Sequence, residues 1–258
     1  MPEGPFRLDG RVALVTGAGS ERGIGRAIAE LFARQGAAVA LGDVDQDGAR
    51  RNAEAIGDRA LPVHLDVTDE RSVAGAVAEV ERGLGPVEIL VNNAGITSST
   101  PVHRLEPADF DRLLAVNLRG GYLCLRAVVG GMMERRWGRV IWLSSIAGKQ
   151  GGGVFGSAHY AASKAGVIGL CQGAARELGP FGITSNAIAP SLVLTGLVAK
   201  TADAEMERRL DDHNRAANPV RRSALPEDVA AAALFLASNE ASYVNGEVMD
   251  VNGGAYFD

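Results

Sequence analysis

The feature that most constrains the fold is a repeated alternation between short apolar segments and longer segments with helical spacing of apolar residues. Seven short segments, rich in β-branched residues, are predicted to be strands. They cover residues 12–16, 37–41, 61–65, 87–91, 139–143, 183–188 and 247–251. Strands that are apolar on both faces are typical of a parallel sheet covered by helices on both sides.

The segments between the predicted strands carry the helices. Apolar spacing predicts helices over residues 24–34, 45–56, 69–83, 107–133, 158–178 and 226–236, with Thr68 as the N-cap of the third. Residues 191–218 form a polar, mixed-charge insertion that we expect to be partly helical. No composition break divides the chain. The sequence therefore predicts a single α/β domain over residues 1–258, with a doubly wound, seven-stranded parallel sheet and helices on both faces.

Composition narrows the classes of partner. The net charge is −5 and the chain carries no basic stripe, so we expect no nucleic-acid partner. No segment reaches the roughly 18 apolar residues of a membrane span, so we expect no membrane partner and a cytoplasmic protein. Cys124 and Cys171 are expected to be buried free thiols rather than a disulfide. His64, His103 and His213 lack metal-ligand spacing, so no metal site is predicted.

A glycine-rich turn follows the first predicted strand and leads into the first helix. It reads Thr-Gly-Ala-Gly-Ser-Glu-Arg-Gly-Ile-Gly over residues 16–25. Such a turn presents backbone N–H groups and a helix N-terminus to a pyrophosphate. Asp43 ends the second strand, where a carboxylate can accept hydrogen bonds from an adenosine ribose and repel a 2′-phosphate. The alternative is that Asp43 is a turn residue or a helix cap.

Tyr160 and Lys164 lie four residues apart in a predicted helix and therefore share one of its faces. An ammonium group close to a phenol favours the phenolate. The pair thus predicts a tyrosine whose pKa is lowered from about 10 and which exchanges a proton near neutral pH. The spacing alone equally fits an amphipathic helix with a buried ring and a solvated amine. Polar residues at several strand ends favour the chemical interpretation, because ligands bind at that edge of a doubly wound sheet.

Taken in order, five features resemble the classical short-chain dehydrogenase/reductase family. They are the glycine turn, Asp43, the Asn-Asn-Ala-Gly segment at residues 92–95, Ser145 and the Tyr160/Lys164 pair. The resemblance spans essentially the whole chain and includes many 3-oxoacyl-acyl-carrier-protein reductases. It implies a Rossmann fold and hydride transfer between a nicotinamide dinucleotide and a secondary alcohol or ketone. It also implies a homotetramer with contacts along residues 107–133 and 158–178.

The resemblance assigns roles to individual residues. Tyr160 matches the catalytic acid/base, Lys164 the lysine that lowers its pKa and binds the nicotinamide ribose, and Ser145 the serine that holds the substrate oxygen. Asn117 matches the asparagine that holds a relay water, although the residues alone favour an amide satisfied by the backbone. The implied cofactor-binding residues are Gly17, Ser20, Arg22, Gly23, Ile24, Asp43, Asp66, Val67, Asn93, Ala94, Gly95, Tyr160, Lys164, Pro190, Leu192, Val193 and Thr195. The expected substrate-pocket residues are Ile96, Ala147, Val154 and Phe155, beneath a lid at residues 191–218.

The chain departs from the family pattern at three places. Five residues separate Gly17 from Gly23, where three are usual, so the extra segment either bulges outward or folds over the phosphates. The interval from Ser145 to Tyr160 is about two residues longer than expected, and a glycine-rich loop over residues 148–156 can absorb them. The Pro-Gly that usually follows the sixth strand is Pro-Ser at residues 190–191, which leaves the local backbone conformation open.

Two residues have opposite implications for the cofactor. Arg22 stands just before a motif glycine, where a basic residue accompanies NADP use in this family. Asp43 implies NAD, because its carboxylate would meet the 2′-phosphate directly. We therefore expect NAD, with NADP as the alternative. In that case Arg22 is solvated or paired with Glu21 or Asp43.

Other functions stay open at this stage. An NADPH-dependent 3-oxoacyl-thioester reductase is one alternative, for which Arg104, Arg208 and Arg209 would offer a basic patch to an acyl carrier. An enoyl reductase fits less well, because its tyrosine and lysine are typically seven residues apart. A non-catalytic NAD-binding regulator would have a broken active site, whereas this set is complete. His159 is expected at the pocket rim or at a subunit interface.

Overall fold

The computed structural model describes residues 4–152, 157–195 and 204–257. Seven strands form one parallel sheet: β1 Val12–Thr16, β2 Ala38–Asp43, β3 Ala60–His64, β4 Ile89–Asn92, β5 Gly138–Leu143, β6 Ile183–Pro190 and β7 Val248–Val251. Their spatial order is β3-β2-β1-β4-β5-β6-β7. The order reverses between β1 and β4, which is where doubly wound sheets bind ligands. The predicted fold class is confirmed.

Nine helices are described within those ranges. They are α1 Ile24–Arg34, α2 Gln46–Ile56, α3 Glu70–Gly83, α4 Pro107–Leu114, α5 Gly120–Arg135, α6 Ile146–Gln150, α7 Ala158–Leu178, α8 Ala204–Ala217 and α9 Pro226–Ala237. The helix α8 lies in the polar insertion, which is therefore partly helical as expected.

Three local predictions need correction. The N-cap of α3 is Asp69, whose carboxylate accepts from the Arg71 amide at 2.9 Å, while the Thr68 hydroxyl donates to Asp66 instead. The single helix predicted over residues 107–133 contains a π-helical turn, Ala115–Arg119, between α4 and α5. The first part of the expected glycine-rich loop is helical, because Ser145 caps α6.

Alternate residues of each strand point to opposite faces of the sheet, and each face has its own core. On β1, Ala13 and Val15 belong to a core with α1, α2 and α9, whereas Val12 and Leu14 belong to a core with α3, α5 and α7. Both faces of the sheet are thus apolar and covered. This two-sided burial is why the strands are apolar throughout rather than alternating with polar residues.

The helical run Pro107–Arg135 is long and apolar enough to cross a membrane by length and composition alone. The expectation from the sequence that no segment reaches this length is therefore wrong. Core helices meet the same criterion, and Leu123, Val128 and Met132 of this run are buried in the core shared with α3 and α7. Cys124 on the same helix and Cys171 on α7 are buried free thiols, as predicted. Packing within the chain therefore accounts for the buried residues of α5, while Tyr122 on the same helix stays exposed.

Close packing joins α6 to α7 at Gly148. A Cβ atom at this position would lie 2.7 Å from the carbonyl carbon of Lys164 and 2.8 Å from the amide nitrogen of Ala165. The Ser144 hydroxyl also donates to the Lys164 carbonyl at 2.9 Å. The chain that leaves β5 and the middle of α7 are therefore held against each other through backbone atoms, which cannot move aside as a flexible side chain would.

We predict that Gly148→Ala destabilises the fold by about 1–3 kcal/mol, because the added methyl group overlaps the α7 backbone. Urea unfolding measures the free energy of unfolding. The matched control is Gly75→Ala on α3, where an added Cβ meets no atom within 4 Å. This exposed helical site should gain roughly 0.5–1 kcal/mol. Equal stability of the two variants would contradict the assigned contact.

Candidate active site

The turn between β1 and α1 leaves the N-terminus of α1 open to a ligand. Gly17 has φ +69°, and a Cβ atom there would lie 2.7 Å from the Cα of Ala94. The N-cap of α1 is Gly23, which supplies no side-chain cap, and the first turn of the helix contains no acidic residue. The N–H groups and the positive end of the helix dipole are therefore available to an anion.

The longer turn folds outward at its tip. The Gly23 amide donates to the Ser20 carbonyl at 3.2 Å, and Arg26 donates to the Glu21 carbonyl at 2.9 Å. Glu21 and Arg22 are both exposed. Ser20 lines the large cavity at this edge of the sheet, whereas Arg22 does not. Of the two conformations considered from the sequence, the outward bulge is the one found.

Asp43 is both a structural turn residue and part of the cavity wall. Its Oδ2 accepts from the Gly19 amide at 2.7 Å, and its Oδ1 accepts from the Asp45 amide at 2.9 Å. The alternative interpretation as a turn residue is therefore correct. It does not exclude a ligand contact, because each carboxylate oxygen can accept more than one hydrogen bond. Asp43 is half-buried and lines the cavity.

The ends of β3 and β4 supply the neighbouring part of the wall. Hydrogen bonds from the side chain and backbone of Thr68 hold the pKa of Asp66 below its ordinary value, so this carboxylate is charged at neutral pH. The Asn93 amide donates to the carbonyl oxygens of Thr16 and Gly17 at 2.8 and 2.9 Å. Asn93 thereby fixes the end of β4 against the glycine turn.

Ser145, Tyr160 and Lys164 come together at the carboxyl end of β5. The Ser145 Oγ accepts from the Ala147 amide at 3.1 Å and interacts with the Tyr160 phenol. The Lys164 Nζ lies 5.8 Å from the centre of the Tyr160 ring and donates to the Leu143 carbonyl at 2.7 Å. The structure therefore places a serine hydroxyl, a phenol and an ammonium group at one corner of the cavity. The spacing predicted the phenol and the ammonium group together, and the family resemblance implied the serine.

Asn117 lies in the π-helical turn and does not line the cavity. Its Oδ1 accepts from the Ile96 amide at 2.8 Å, and its Nδ2 donates to the Ile96 carbonyl and the Ser163 hydroxyl. The side chain is thus satisfied largely by backbone, which is the alternative that the residues alone favoured. The side-chain amide of Asn117 already makes hydrogen bonds within the protein. A water that relays protons would therefore have to bind to the main chain of Asn117.

Burial dominates the protonation of the pair. Desolvation raises the pKa of Tyr160, and the interaction with Ser145 only partly opposes this. Desolvation lowers the pKa of Lys164 from 10.5 to about 8. In the free protein the pKa of Tyr160 therefore lies above its ordinary value, whereas the spacing led us to expect it below. The phenol is therefore the protonated form at neutral pH, and Lys164 is charged below about pH 8.

One cavity of about 750 Å³ connects the glycine turn to this corner. It runs along the carboxyl ends of the central strands, past Asp43 and Asp66 at one end and past Lys164 at the other. Nearly all described residues of the predicted catalytic, cofactor and substrate sets line it. The members are Gly17, Ser20, Gly23, Ile24, Asp43, Asp66, Val67, Asn93, Ala94, Gly95, Ile96, Ser145, Ala147, Tyr160, Lys164, Pro190, Leu192, Val193 and Thr195.

Some of the wall falls outside the sequence prediction. Val154 and Phe155 lie outside the described residues, as does part of the lid over residues 191–218. Val44, Arg112 and Ala255 also line the cavity and are not among the residues predicted from the sequence. Ala255 follows the glycines after β7, so the rule that ligands gather at strand ends could have found it. Arg112 lies on the exposed side of α4 and carries no such signal.

The residues present fit a dinucleotide. The open end of α1 suits a pyrophosphate, and Asp43 lies where a ribose would follow. The hydroxyl of Ser191 is buried in the cavity wall without a hydrogen-bond partner among the described residues, which leaves a donor for a bound polar group. Ser191 does not have a positive φ, so serine replaces the usual glycine without backbone strain.

His159 is not at the pocket rim. Its side chain is buried, and its Nδ1 lies 2.8 Å from the Ser157 Oγ. The same Ser157 hydroxyl also lies 2.9 Å from the Ser98 carbonyl oxygen. No group of three or more histidine, cysteine or acidic residues that could hold a metal occurs within the described part of the chain.

Known proteins that resemble this chain over nearly its whole length are named as reductases and dehydrogenases. Residues 17–256 match a family model described as enoyl-(acyl carrier protein) reductase. The chain is 40% identical over 255 residues to the 3-oxoacyl-(acyl-carrier-protein) reductase FabG of Vibrio harveyi, covering 97% of this chain and 99% of that protein. It is 41% identical over 256 residues to a sorbitol dehydrogenase of Cereibacter sphaeroides, covering 96% of this chain and 98% of that protein.

A solved structure extends the likeness to three dimensions. The crystal structure of a candidate gluconate dehydrogenase from Agrobacterium tumefaciens superposes with a TM-score of 0.88 at 32% identity, covering 97% of both chains. The motifs, the parallel sheet, the clustered serine, tyrosine and lysine, and these full-length relatives agree. The chain belongs to the classical short-chain dehydrogenase/reductase family.

Proposed function

We propose that this protein is an oxidoreductase that moves a hydride between a nicotinamide dinucleotide and a secondary alcohol or ketone. The observation that carries the proposal is the meeting of Ser145, Tyr160 and Lys164 at one end of a cavity whose other end is the glycine turn. The full-length relatives named as reductases and dehydrogenases of carbonyl and hydroxyl compounds support this reaction class.

In this proposal the reduced nicotinamide, when bound, supplies the hydride that reaches the carbonyl carbon. The chain supplies the proton. The pKa of Tyr160 is raised by burial, so its phenol is protonated at neutral pH and can donate to the developing alkoxide. Ser145 is held in place by α6 and offers a hydroxyl to the same oxygen, which is preorganised electrostatic stabilisation.

Lys164 has two tasks in this proposal. Its hydrogen bond to the Leu143 carbonyl fixes the position of the ammonium group beneath the cavity. Its remaining N–H groups can donate to a ribose hydroxyl or to a water that replaces the tyrosine proton. A Cβ at Gly95 would lie 3.6 Å from the Lys164 Nζ, so the absence of a side chain there leaves room for such a partner.

Assembly, location and the lid are further parts of the proposal. Tyr122 and Phe110 are exposed on α5 and α4, where the resemblance implies subunit contacts, and we propose a homotetramer. We propose a cytoplasmic protein, since two buried free thiols suit a reducing compartment. We also propose that residues 191–218 form a substrate lid within a single domain over residues 1–258.

The substrate class follows from the relatives and the cavity wall. A 3-oxoacyl thioester and a polyol are the two classes that the names of similar proteins suggest. Ile96, Ile146 and Leu192 give the substrate end a partly apolar lining, which favours the acyl chain. Within the sequence-predicted basic patch, Arg209 pairs with Glu205, so the patch offers less free charge to an acyl carrier than the sequence implied.

We predict that Tyr160→Phe lowers turnover by roughly 10²–10⁴-fold while leaving dinucleotide affinity nearly unchanged, because it removes only the phenolic hydroxyl that carries the exchangeable proton. Steady-state rates with an acetoacetyl thioester, a crotonyl thioester and sorbitol measure turnover, and a fluorescence titration measures NADH binding. Tyr243→Phe is the matched control, since Tyr243 is fully exposed and does not line the cavity that contains Tyr160. Turnover of the crotonyl thioester alone would identify an enoyl reductase instead, and undiminished turnover by Tyr160→Phe would contradict the assignment.

We predict that the free energy of unfolding depends on pH in a way that reveals the burial of Lys164. In the free protein the unfolded chain binds the Lys164 proton up to about pH 10.5, but the folded chain releases it near pH 8. Folding therefore becomes more favourable as pH rises through this window. Relative to Lys164→Met, the wild-type chain should gain roughly 1.5 kcal/mol between pH 8 and 9.5. The range stays below the titration of Tyr160, and a flat difference in urea unfolding would contradict the burial of the ammonium.

We predict a preference for NADH over NADPH of about tenfold or more in kcat/KM. Asp43 would face a 2′-phosphate with like charge, and a tenfold preference needs only ~1.4 kcal/mol. Asp43→Asn should reduce the preference, since it removes the charge while keeping the shape. Arg22→Gln is the comparison, because Arg22 is exposed and does not line the cavity. A wild-type preference for NADPH would show that the interpretation of Asp43 is wrong.

A further inference from the structure

A second cavity, of about 610 Å³, lies at the amino-terminal edge of the sheet. Its wall includes Trp137, Arg139, Thr184, Ser242 and Tyr243, and we call it the amino-edge pocket. Arg139 stands near the start of β5, whereas Ser145 follows the end of that strand. At about 3.3 Å per residue the two positions are roughly 20 Å apart. The amino-edge pocket and the proposed active site thus lie at opposite ends of the strands.

Arg139 is buried in this wall to an unusual degree. Its side chain is 3% exposed, a value rare for arginine without a paired acid. Its Nη1 donates to the Gly138 carbonyl at 2.9 Å, and its Nε donates to the Ser238 carbonyl at 3.3 Å. Across residues 4–152, 157–195 and 204–257, no carboxylate forms an ion pair with it. The guanidinium thus keeps donors that its protein neighbours do not use.

The local charge around Arg139 is positive. Two guanidinium groups lie against the Trp137 ring, that of Arg11 at 3.7 Å from the ring centre and that of Arg139 at 4.5 Å. Glu88 is the acid nearby, and it pairs with Arg11. Burial and the Arg11 charge lower the pKa of Arg139 to about 10. Arg139 is still charged at neutral pH, and one unit of positive charge is left without a side-chain counter-charge.

Thr184 adds a second unused donor beside Arg139. The two residues are register partners on β6 and β5, so their side chains leave the same face of the sheet, roughly 4.8 Å apart. Thr184 is 7% exposed, and its hydroxyl has no hydrogen-bond partner within the described part of the chain. A buried hydroxyl without a partner costs free energy unless another molecule satisfies it.

The simpler interpretation is that Arg139 caps the C-terminus of α9. Ser238 is the residue that ends α9, and its carbonyl does accept from Arg139. That single bond is long, and the end of a helix dipole carries only about half a unit of negative charge. The cap therefore accounts for one donor of Arg139 and for none of Thr184.

We propose that the amino-edge pocket binds a small oxyanion, the phosphate or carboxylate group of a metabolite, through the Arg139 guanidinium and the Thr184 hydroxyl. The planar guanidinium matches such a group with two parallel N–H donors. The volume of the pocket admits an organic molecule around the anionic group. Exposed Ser242 and Tyr243 at its mouth would contact the remainder of the ligand.

Tryptophan fluorescence tests this proposal directly. The chain has two tryptophans, and Trp137 lies against Arg139, whereas Trp142 is buried within the sheet. The full chain is titrated with inorganic phosphate, with malonate and with glycerol, against sodium chloride at matched ionic strength. Saturating NAD⁺ is included so that phosphate does not fill the glycine turn. We expect a saturable fluorescence change with phosphate or malonate and none with glycerol or chloride.

Variants assign the signal to the pocket. We expect Arg139→Gln to weaken binding about tenfold or more and Thr184→Val to weaken it several-fold, while Arg50→Gln on the exposed side of α2 leaves it unchanged. Thr184→Val removes an unsatisfied hydroxyl and should fold even if Arg139→Gln does not. Saturation by phosphate alone or malonate alone identifies the anionic group. A response no larger than that of chloride, or one that Thr184→Val and Arg139→Gln leave unchanged, overturns the proposal, and neither result bears on turnover at Tyr160.

Discussion

The hydrogen bond from the Lys164 ammonium to the Leu143 carbonyl, 2.7 Å long, is the contact on which the arrangement of the site depends. It joins the helix that carries Tyr160 to the end of the strand that leads to Ser145. The close approach of Gly148 to the backbone of α7 restrains the same two elements a few residues further on. One contact runs from a buried ammonium group to a backbone carbonyl and the other joins two backbones, so together they hold the serine and the tyrosine in fixed relative positions. The parallel sheet then aligns this corner with the glycine turn, so that one cavity connects them.

Much of the fold and of the candidate site could be predicted from the sequence, because the patterns that indicate them lie within short stretches of the chain. Apolar runs bounded by glycine or polar residues identified all seven strands, and the strand-end rule placed Asp43, Asp66 and Ser145 along one edge. The four-residue interval placed Tyr160 and Lys164 on one face of α7. Each of these inferences needs only the period of a helix or a strand. For that reason these inferences hold even though the predicted ends of several strands differ from the observed ends by one or two residues.

What the sequence could not give depends on contacts between distant segments. The π-helical turn at Asn117 is coupled to hydrogen bonds with Ile96 and Ser163, and no spacing rule encodes them. The pKa of Tyr160 depends on how deeply the phenol is buried. The spacing of Tyr160 and Lys164 along the helix carries no information about that burial. The charge of Arg139 and the hydroxyl of Thr184 lie 45 positions apart in the chain and meet only through strand register. In the sequence, the arginine looks like an ordinary polar residue at a strand start.

The central claim is that a hydride travels from the dinucleotide to a carbonyl carbon beside Tyr160. Its most direct measurement uses NADH carrying deuterium at both C4 positions of the nicotinamide, with a ketone that supports turnover and mass and NMR analysis of the product. The account predicts one deuterium on the carbon that bears the new hydroxyl group, and none on the neighbouring carbons. A product without deuterium at that carbon, or deuterium at the former double bond of an unsaturated substrate, would contradict it.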